Sequence, residues 1–253
     1  VVVDAHKVGD YRPLVFKSTN KGRSWRSIAG DLPEDLIIWA LQQDHVNPDL
    51  LFLGTENGVY TSINGGKNWD KMGGTPTIAF RDIKIHRRDN DLIGATFGRG
   101  VYIMDDYTAL RDLANNGMAA GVLPVRDAWW YIPNNPMQAK GQPTLGSSSY
   151  RAENPDFGAM IDVYLTDIAK TMKEQRRAVE KDQRQDGDDV AFPGYGRLTE
   201  ESLEVAPEYY VEILNEAGQP VRILPIKAQE GLQRVTWDLR YPAMSPIDLS
   251  TPG

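Results

Sequence analysis

The chain has no cysteine, which excludes disulfide staples, zinc–thiolate and iron–sulfur sites and thiol catalysis. It has no apolar run near the roughly 18 residues that a membrane-crossing helix needs. Positive charge is in deficit: 28 Lys and Arg stand against 35 Asp and Glu, for a formal net charge of −7. That balance offers no electrostatic footprint for nucleic acid or an anionic membrane. Histidine occurs three times only. What remains is an ordinary globular composition, 41% hydrophobic over 253 residues, enough for one or two domains with a sizeable core. The 23 glycines, 16 prolines, 6 tryptophans and 11 tyrosines suit a turn-rich β protein.

An internal repeat fills the first half. Ser18-Thr19-Asn20-Lys21-Gly22-Arg23-Ser24-Trp25 recurs as Ser62-Ile63-Asn64-Gly65-Gly66-Lys67-Asn68-Trp69. Ser, Asn, Gly and Trp all keep an offset of 44 residues. A second register aligns His45–Thr55 with His86–Thr96 at an offset of 41. A third copy starts at Val101-Tyr102-Ile103-Met104-Asp105-Asp106 and then decays. In each box Asn bonds the backbone ahead of it, Gly22 or Gly66 takes positive φ without penalty, and Trp25 or Trp69 leaves the turn as an apolar anchor. Short apolar runs lie around the boxes, at 36–41, 50–53, 83–85 and 92–93, divided by turn signals such as Asn47-Pro48-Asp49 and Gly73-Gly74. Short strands, frequent turns and a period of some 40 residues describe four-stranded propeller blades.

The boxes resemble the Asp-box, or BNR repeat, of sialidases, xyloglucanase-type glycoside hydrolases and sortilin-type receptors, with Asn in place of the usual Asp. Gly54–Tyr60 (GTENGVY), Ala95–Asp106 (ATFGRGVYIMDD) and Gly231–Pro242 (GLQRVTWDLRYP) are similar to a group of secreted bacterial proteins labelled sortilin-like or glycosyl hydrolase. The resemblance implies an all-β chain: the terminal blades of an Asp-box β-propeller over 1–121, then an immunoglobulin-like β-sandwich over 157–253, incomplete at its end. A connecting strand at Leu123–Ile132 and a Pro/Gly/Ser-rich linker occupy 122–156. At about 44 residues per blade, residues 1–113 hold about 2.5 blades, and propellers close with four to eight. The expected partner is therefore the remainder of the propeller, on the same parent protein or another chain. A start within a strand, Val1-Val2-Val3, and a turn-like end, Ser250–Gly253, fit a fragment.

In the second half, 158–165, 209–214, 221–226 and 231–239 read as strands, with a turn at 215–218. Residues 166–189 interrupt them, 13 of the 24 being charged. Lys170/Glu174, Arg176/Glu180 and Glu180/Arg184 have i,i+4 spacing and support one solvent-facing helix. That insertion is either a solvated excursion or a docking element.

Candidate chemistry is sparse. The eight box residues Ser18, Asn20, Gly22, Trp25, Ser62, Asn64, Gly66 and Trp69 read as structural. His6, His45 and His86 lie too far apart for a metal triad, so neither metal nor cofactor is expected. Arg99, between two glycines, is the sharpest ligand-binding candidate, since a guanidinium holds a carboxylate bidentately. It either pairs internally with Asp105 or Asp106, or binds a ligand beside them. Two classes of function follow. The first is a non-catalytic module outside the cytoplasm (secreted, periplasmic or cell-surface by resemblance) that binds polypeptide or glycan or scaffolds an assembly. The second is part of a glycoside hydrolase whose catalytic carboxylates lie mainly outside this chain.

Overall fold

Three small antiparallel sheets succeed one another along the first of two units, Val1–Ala119 and Ala120–Gly253; the computed structural model describes residues 1–131 and 155–242. The first sheet pairs β1 (Phe16–Lys17) with β2 (Arg26–Ser27), extended by a bridge from Val2 to Val15. The second orders β3 (Ile38–Gln43), β4 (Leu51–Thr55), β5 (Gly58–Ser62) and β6 (Asp70–Lys71) as a meander. The third orders β7 (Phe80–His86), β8 (Asp91–Thr96) and β9 (Val101–Met104) in the same way. Short connections leave antiparallel neighbours as the only pairing available.

The second sheet is buried on both faces. All five residues of β4 and all five of β5 are buried. Successive strand side chains point to opposite faces. Leu51, Leu53 and Tyr60 accordingly join a core with Val15, Ile28, Leu36 and Trp69, on the side of the first repeat. Phe52 and Val59 join one with Leu50, Phe80, Ile83 and Leu92, on the side of the third. This explains the run Leu50–Leu53, which is continuously apolar where a half-exposed strand would alternate. Each of these large side chains, fully buried, contributes about 1.5–3 kcal/mol.

The two boxes make the same turn. Ser18 Oγ accepts the Gly22 N–H at 2.8 Å, and Asn20 Oδ1 accepts the Ser24 N–H at 2.9 Å. Ser62 Oγ accepts the Gly66 N–H at 2.9 Å, and Asn64 Oδ1 accepts the Asn68 N–H at 3.0 Å. The tryptophans diverge. Trp69 is 6% exposed, and its Nε1–H donates to the Ile28 carbonyl of the first repeat at 2.9 Å. Its backbone N–H donates to Asp31 Oδ1 at 2.8 Å. Gly30 permits this approach, since a Cβ there would lie 2.4 Å from the Lys67 carbonyl. Trp25 is 50% exposed, and its Nε1–H donates to Gly22 of its own turn.

The third repeat ends differently. Asp106, at the place of Asn64, accepts the Thr108 N–H and hydroxyl and opens helix α1 (Thr108–Asn116). Ala109 and Leu113, four residues apart, face inward, and Gly117 closes the helix in the left-handed conformation. The sequence reading has no helix here.

In the second unit, β10 (Gly121–Val122), β11 (Ala159–Leu165) and β14 (Gly231–Trp237) form one sheet, and β12 (Tyr209–Leu214) and β13 (Pro220–Ile226) form another. Ile161, Val163 and Val211 form their shared core, with Leu224, Val235 and Trp237 packed against it. The expected strand at Leu123–Ile132 is absent over its described part. Leu123 donates one bond to the Asp162 carbonyl, and Pro124 then has no N–H to continue the ladder. Most of the expected linker, and Ile132 itself, lie outside the described residues.

Helix α2 (Met172–Asp186) starts at a capping box between Thr171 and Glu174 and stops at Gly187, with no buried residue. Lys170 precedes the cap, so the expected Lys170/Glu174 helix pair does not form, and Glu174 serves Thr171 instead. A second helix, α3 (Tyr195–Leu203), is also present. Glu201 of α3 is buried and receives Arg176 of α2 through Nε at 2.7 Å and Nη2 at 2.8 Å. Within 166–189 there is thus one helix with no buried residue, as expected, and α3, which the sequence reading lacks, follows the insertion and is clamped to it.

Trp69→Ala, which empties a sealed position, is expected to cost about 3–5 kcal/mol in chemical denaturation. Trp25→Ala, at the matching position, should cost less than about 1 kcal/mol.

Candidate functional site

β3 and β7 begin at one edge of the first unit, where the β4–β5 and β8–β9 turns also lie. Backbone bonds pin each turn to the strand start beside it: Glu56 N–H to the Ile37 carbonyl and Phe97 N–H to the Ala79 carbonyl. Three rings and a cation meet there. The Arg81 guanidinium lies over the Trp39 ring at 3.5 Å and faces the Phe97 ring at 5.4 Å. His6 meets Trp39 edge-on at 5.4 Å, and Trp39 Nε1–H donates to Glu56 at 2.8 Å. Stacking of this kind contributes about 0.5–2 kcal/mol and leaves the guanidinium edge free to donate. Phe97 is 73% exposed.

Arg99 sits on the same β8–β9 turn, exposed, and among the described residues its guanidinium forms no ion pair. Gly98 and Gly100 both take positive φ, so the turn itself requires them. Asp105 and Asp106 lie at the other end of β9, about 13 Å or more away at 3.3 Å per residue. The internal Arg99–Asp pairing expected from sequence is therefore not made. Asp106 is buried, with its carboxylate on Thr108 and its N–H on Asp91. Arg99 instead shares the β8–β9 turn with Phe97, the ring that Arg81 faces. Sequence reasoning missed Trp39 and Arg81, because one lies inside an apolar run and the other breaks one.

At the opposite edge a buried carboxylate ties the second repeat to α1. Asp44 is 4% exposed. Arg111 reaches it with two bonds, Nε to Oδ2 at 2.8 Å and Nη2 to Oδ1 at 2.7 Å. The Tyr107 hydroxyl donates to Oδ1 at 2.7 Å, and the Asn47 N–H donates to Oδ2 at 2.7 Å. Burial alone would raise the Asp44 pKa, but these donors, Arg111 first, outweigh it and hold the carboxyl well below the usual range. Burial and then Asp44 push the Tyr107 hydroxyl up, so it stays a donor at neutral pH. Tyr107 also stacks edge-on with Phe52 at 5.1 Å. This arrangement holds elements together; every group in it is used internally.

The histidines go to three separate places. His6 Nδ1 is bound by Asp4, and His45 faces Asp44 and Tyr107. His86 lies with Asp89 and Asp91, their ligand atoms within 4.8 Å of one another. Arg88 already holds Asp89 at 2.7 Å, and Asp91 accepts the Asp106 N–H.

Arg111→Ala leaves the Asp44 charge buried without its main partner and is expected to cost about 3–5 kcal/mol. Since the folded pKa of Asp44 is depressed, its contribution to stability is full above about pH 5 and is lost as pH falls through about 4 and below. Asp44→Asn should flatten that acid limb in unfolding curves measured across pH.

Compared with known proteins, the chain matches no family model, no curated protein and no solved structure.

Proposed function

We propose that the first unit is the terminal part of an Asp-box β-propeller and the second an immunoglobulin-like β-sandwich. In this reading the chain works outside the cytoplasm as a non-catalytic binding or scaffolding module. Support for the blades comes from the two boxes, the meander order and a sheet buried against a neighbour on each side. Support for the sandwich comes from two sheets that share one apolar core. The extracytoplasmic location rests on the family resemblance; no helix among the described residues is long and apolar enough to cross a membrane.

One observation carries the binding reading: Arg81 lies over Trp39 and faces Phe97, and Arg99, which forms no ion pair among the described residues, is on the same turn as Phe97. Two guanidinium groups beside flat apolar faces suit a ligand with a carboxylate next to a ring or an apolar side chain. A polypeptide or a glycan offers that chemistry. The carboxylates nearest these groups already have partners: Glu56 takes the Trp39 indole N–H, Asp4 holds His6, and Asp82 pairs with Lys84.

Binding of a uronate oligosaccharide and of an acidic peptide, measured by calorimetry at low salt, tests this. Arg81→Ala and Arg99→Ala should each weaken the better ligand at least about tenfold, or about 1.4 kcal/mol. Equal affinity in both variants contradicts the site. Release of new reducing ends from the oligosaccharide would favour the hydrolase instead.

A further inference from the structure

The contact of the second box with the first repeat is made inside this chain, and the matching contact stands open at the first box. Trp69 is sealed by the segment Ile28–Asp31. The Ile28 carbonyl takes its indole N–H, while Asp31 takes its backbone N–H at 2.8 Å and the Asn68 amide at 3.1 Å. These donors, Asn68 first, hold the Asp31 carboxyl below its ordinary range. Trp25 occupies the same place 44 residues earlier, half exposed, with its indole N–H turned back onto the Gly22 carbonyl at 3.1 Å. Around it Lys21, Arg23 and Arg26 are exposed, and among the described residues none of the three forms an ion pair. The matching positions of the second box are Gly65, Lys67 and Asp70, so the excess of cations belongs to the open box.

We infer that Trp25 is the docking residue for a further repeat of the same type, which covers it with an acidic segment of the form apolar-x-Gly-Asp. The inference rests on reading the chain as part of a larger ring of repeats. Two observations carry it. The first is continuity: the interface already present between the first and second repeats, moved back by one repeat, falls on Trp25. The second is charge. The segment that seals Trp69 continues through Asp31, Glu34 and Asp35, and three cations surround Trp25 in a chain of net charge −7. A second copy of this chain is not the occupant, because its own Ile28–Asp31 segment is filled by Trp69. On docking, the indole N–H exchanges the Gly22 carbonyl for the incoming one. Hydrogen bonding is then nearly balanced, and burial of the ring drives association.

The test uses the full chain, labelled with 15N, and a synthetic peptide with the sequence Ser27–Leu36. Titration to about millimolar peptide is expected to move the Trp25 indole signal saturably and to leave those of Trp39 and Trp69 in place. The shift should weaken as salt rises toward about 0.5 M. It should also weaken at least fivefold, by estimate from about 1 kcal/mol of lost charge-assisted bonding, when the peptide carries Asp31→Asn. Arg23→Glu, at an exposed position that leaves the fold intact, should weaken it as well. An unmoved Trp25 signal, or an equal shift with the Asp31→Asn peptide, overturns the inference. Movement of Trp39 instead assigns the peptide to the arginine edge and overturns it too. Failure of the acidic ligands to bind at Arg81 and Arg99 leaves the Trp25 result standing, so the two readings fail separately.

Discussion

The first unit depends on one constraint: none of its sheets has enough apolar surface to enclose a core alone. The second sheet resolves this by giving a face to each neighbour. Leu51, Leu53 and Tyr60 go one way, and Phe52 and Val59 go the other. A strand buried on both sides has no solvent face to fix its register. Register must come from turns and from polar contacts at the seams. The Ser–Asn–Gly turn of each box supplies the first, and Trp69 on Ile28 and Asp31 supplies the second.

The seam between the second and third repeats uses different chemistry for the same task. Asp44 is buried among an arginine, a tyrosine hydroxyl and backbone N–H groups. Such a site adds little net energy relative to well-packed apolar side chains, and it is costly to leave half satisfied. Its effect is positional: α1 can sit only where Arg111 and Tyr107 both reach Asp44. Arg176 and Glu201 repeat the device in the second unit, where they clamp α2 to α3. At the opposite edge of the first unit, Arg81 and Arg99 form no ion pair among the described residues, unlike the cations that the fold consumes.

The sequence is legible where local chemistry decides the outcome. The boxes declare their turns, because side chain and backbone partners lie within eight residues. The strands β12 and β13 announce themselves through apolar alternation around Asn215, whose Oδ1 accepts the Ala217 and Gln219 N–H groups. Helix α2 shows its Arg176/Glu180 and Glu180/Arg184 pairs. Elements fixed by distant partners are not legible. Helix α1 follows a decayed repeat and is held by Asp44, 67 residues from Arg111. Helix α3 begins at Gly194, with Gly196 in its first turn, which hides its periodicity, and a buried ion pair holds it. The arginine edge is hidden for the same reason: Trp39 and Arg81 are 42 positions apart and meet only once β3 and β7 are neighbours.

Two tryptophans at equivalent positions, one sealed by a neighbour and one open, are the sharpest expression of this architecture. Hydrogen exchange at the two indole N–H groups, followed by NMR in the intact chain, compares them directly. The account predicts that the Trp69 indole exchanges only through large-scale opening, about a thousandfold or more slower than that of Trp25. Similar fast rates at both would show that the repeats do not seal one another, and would contradict the account at its base.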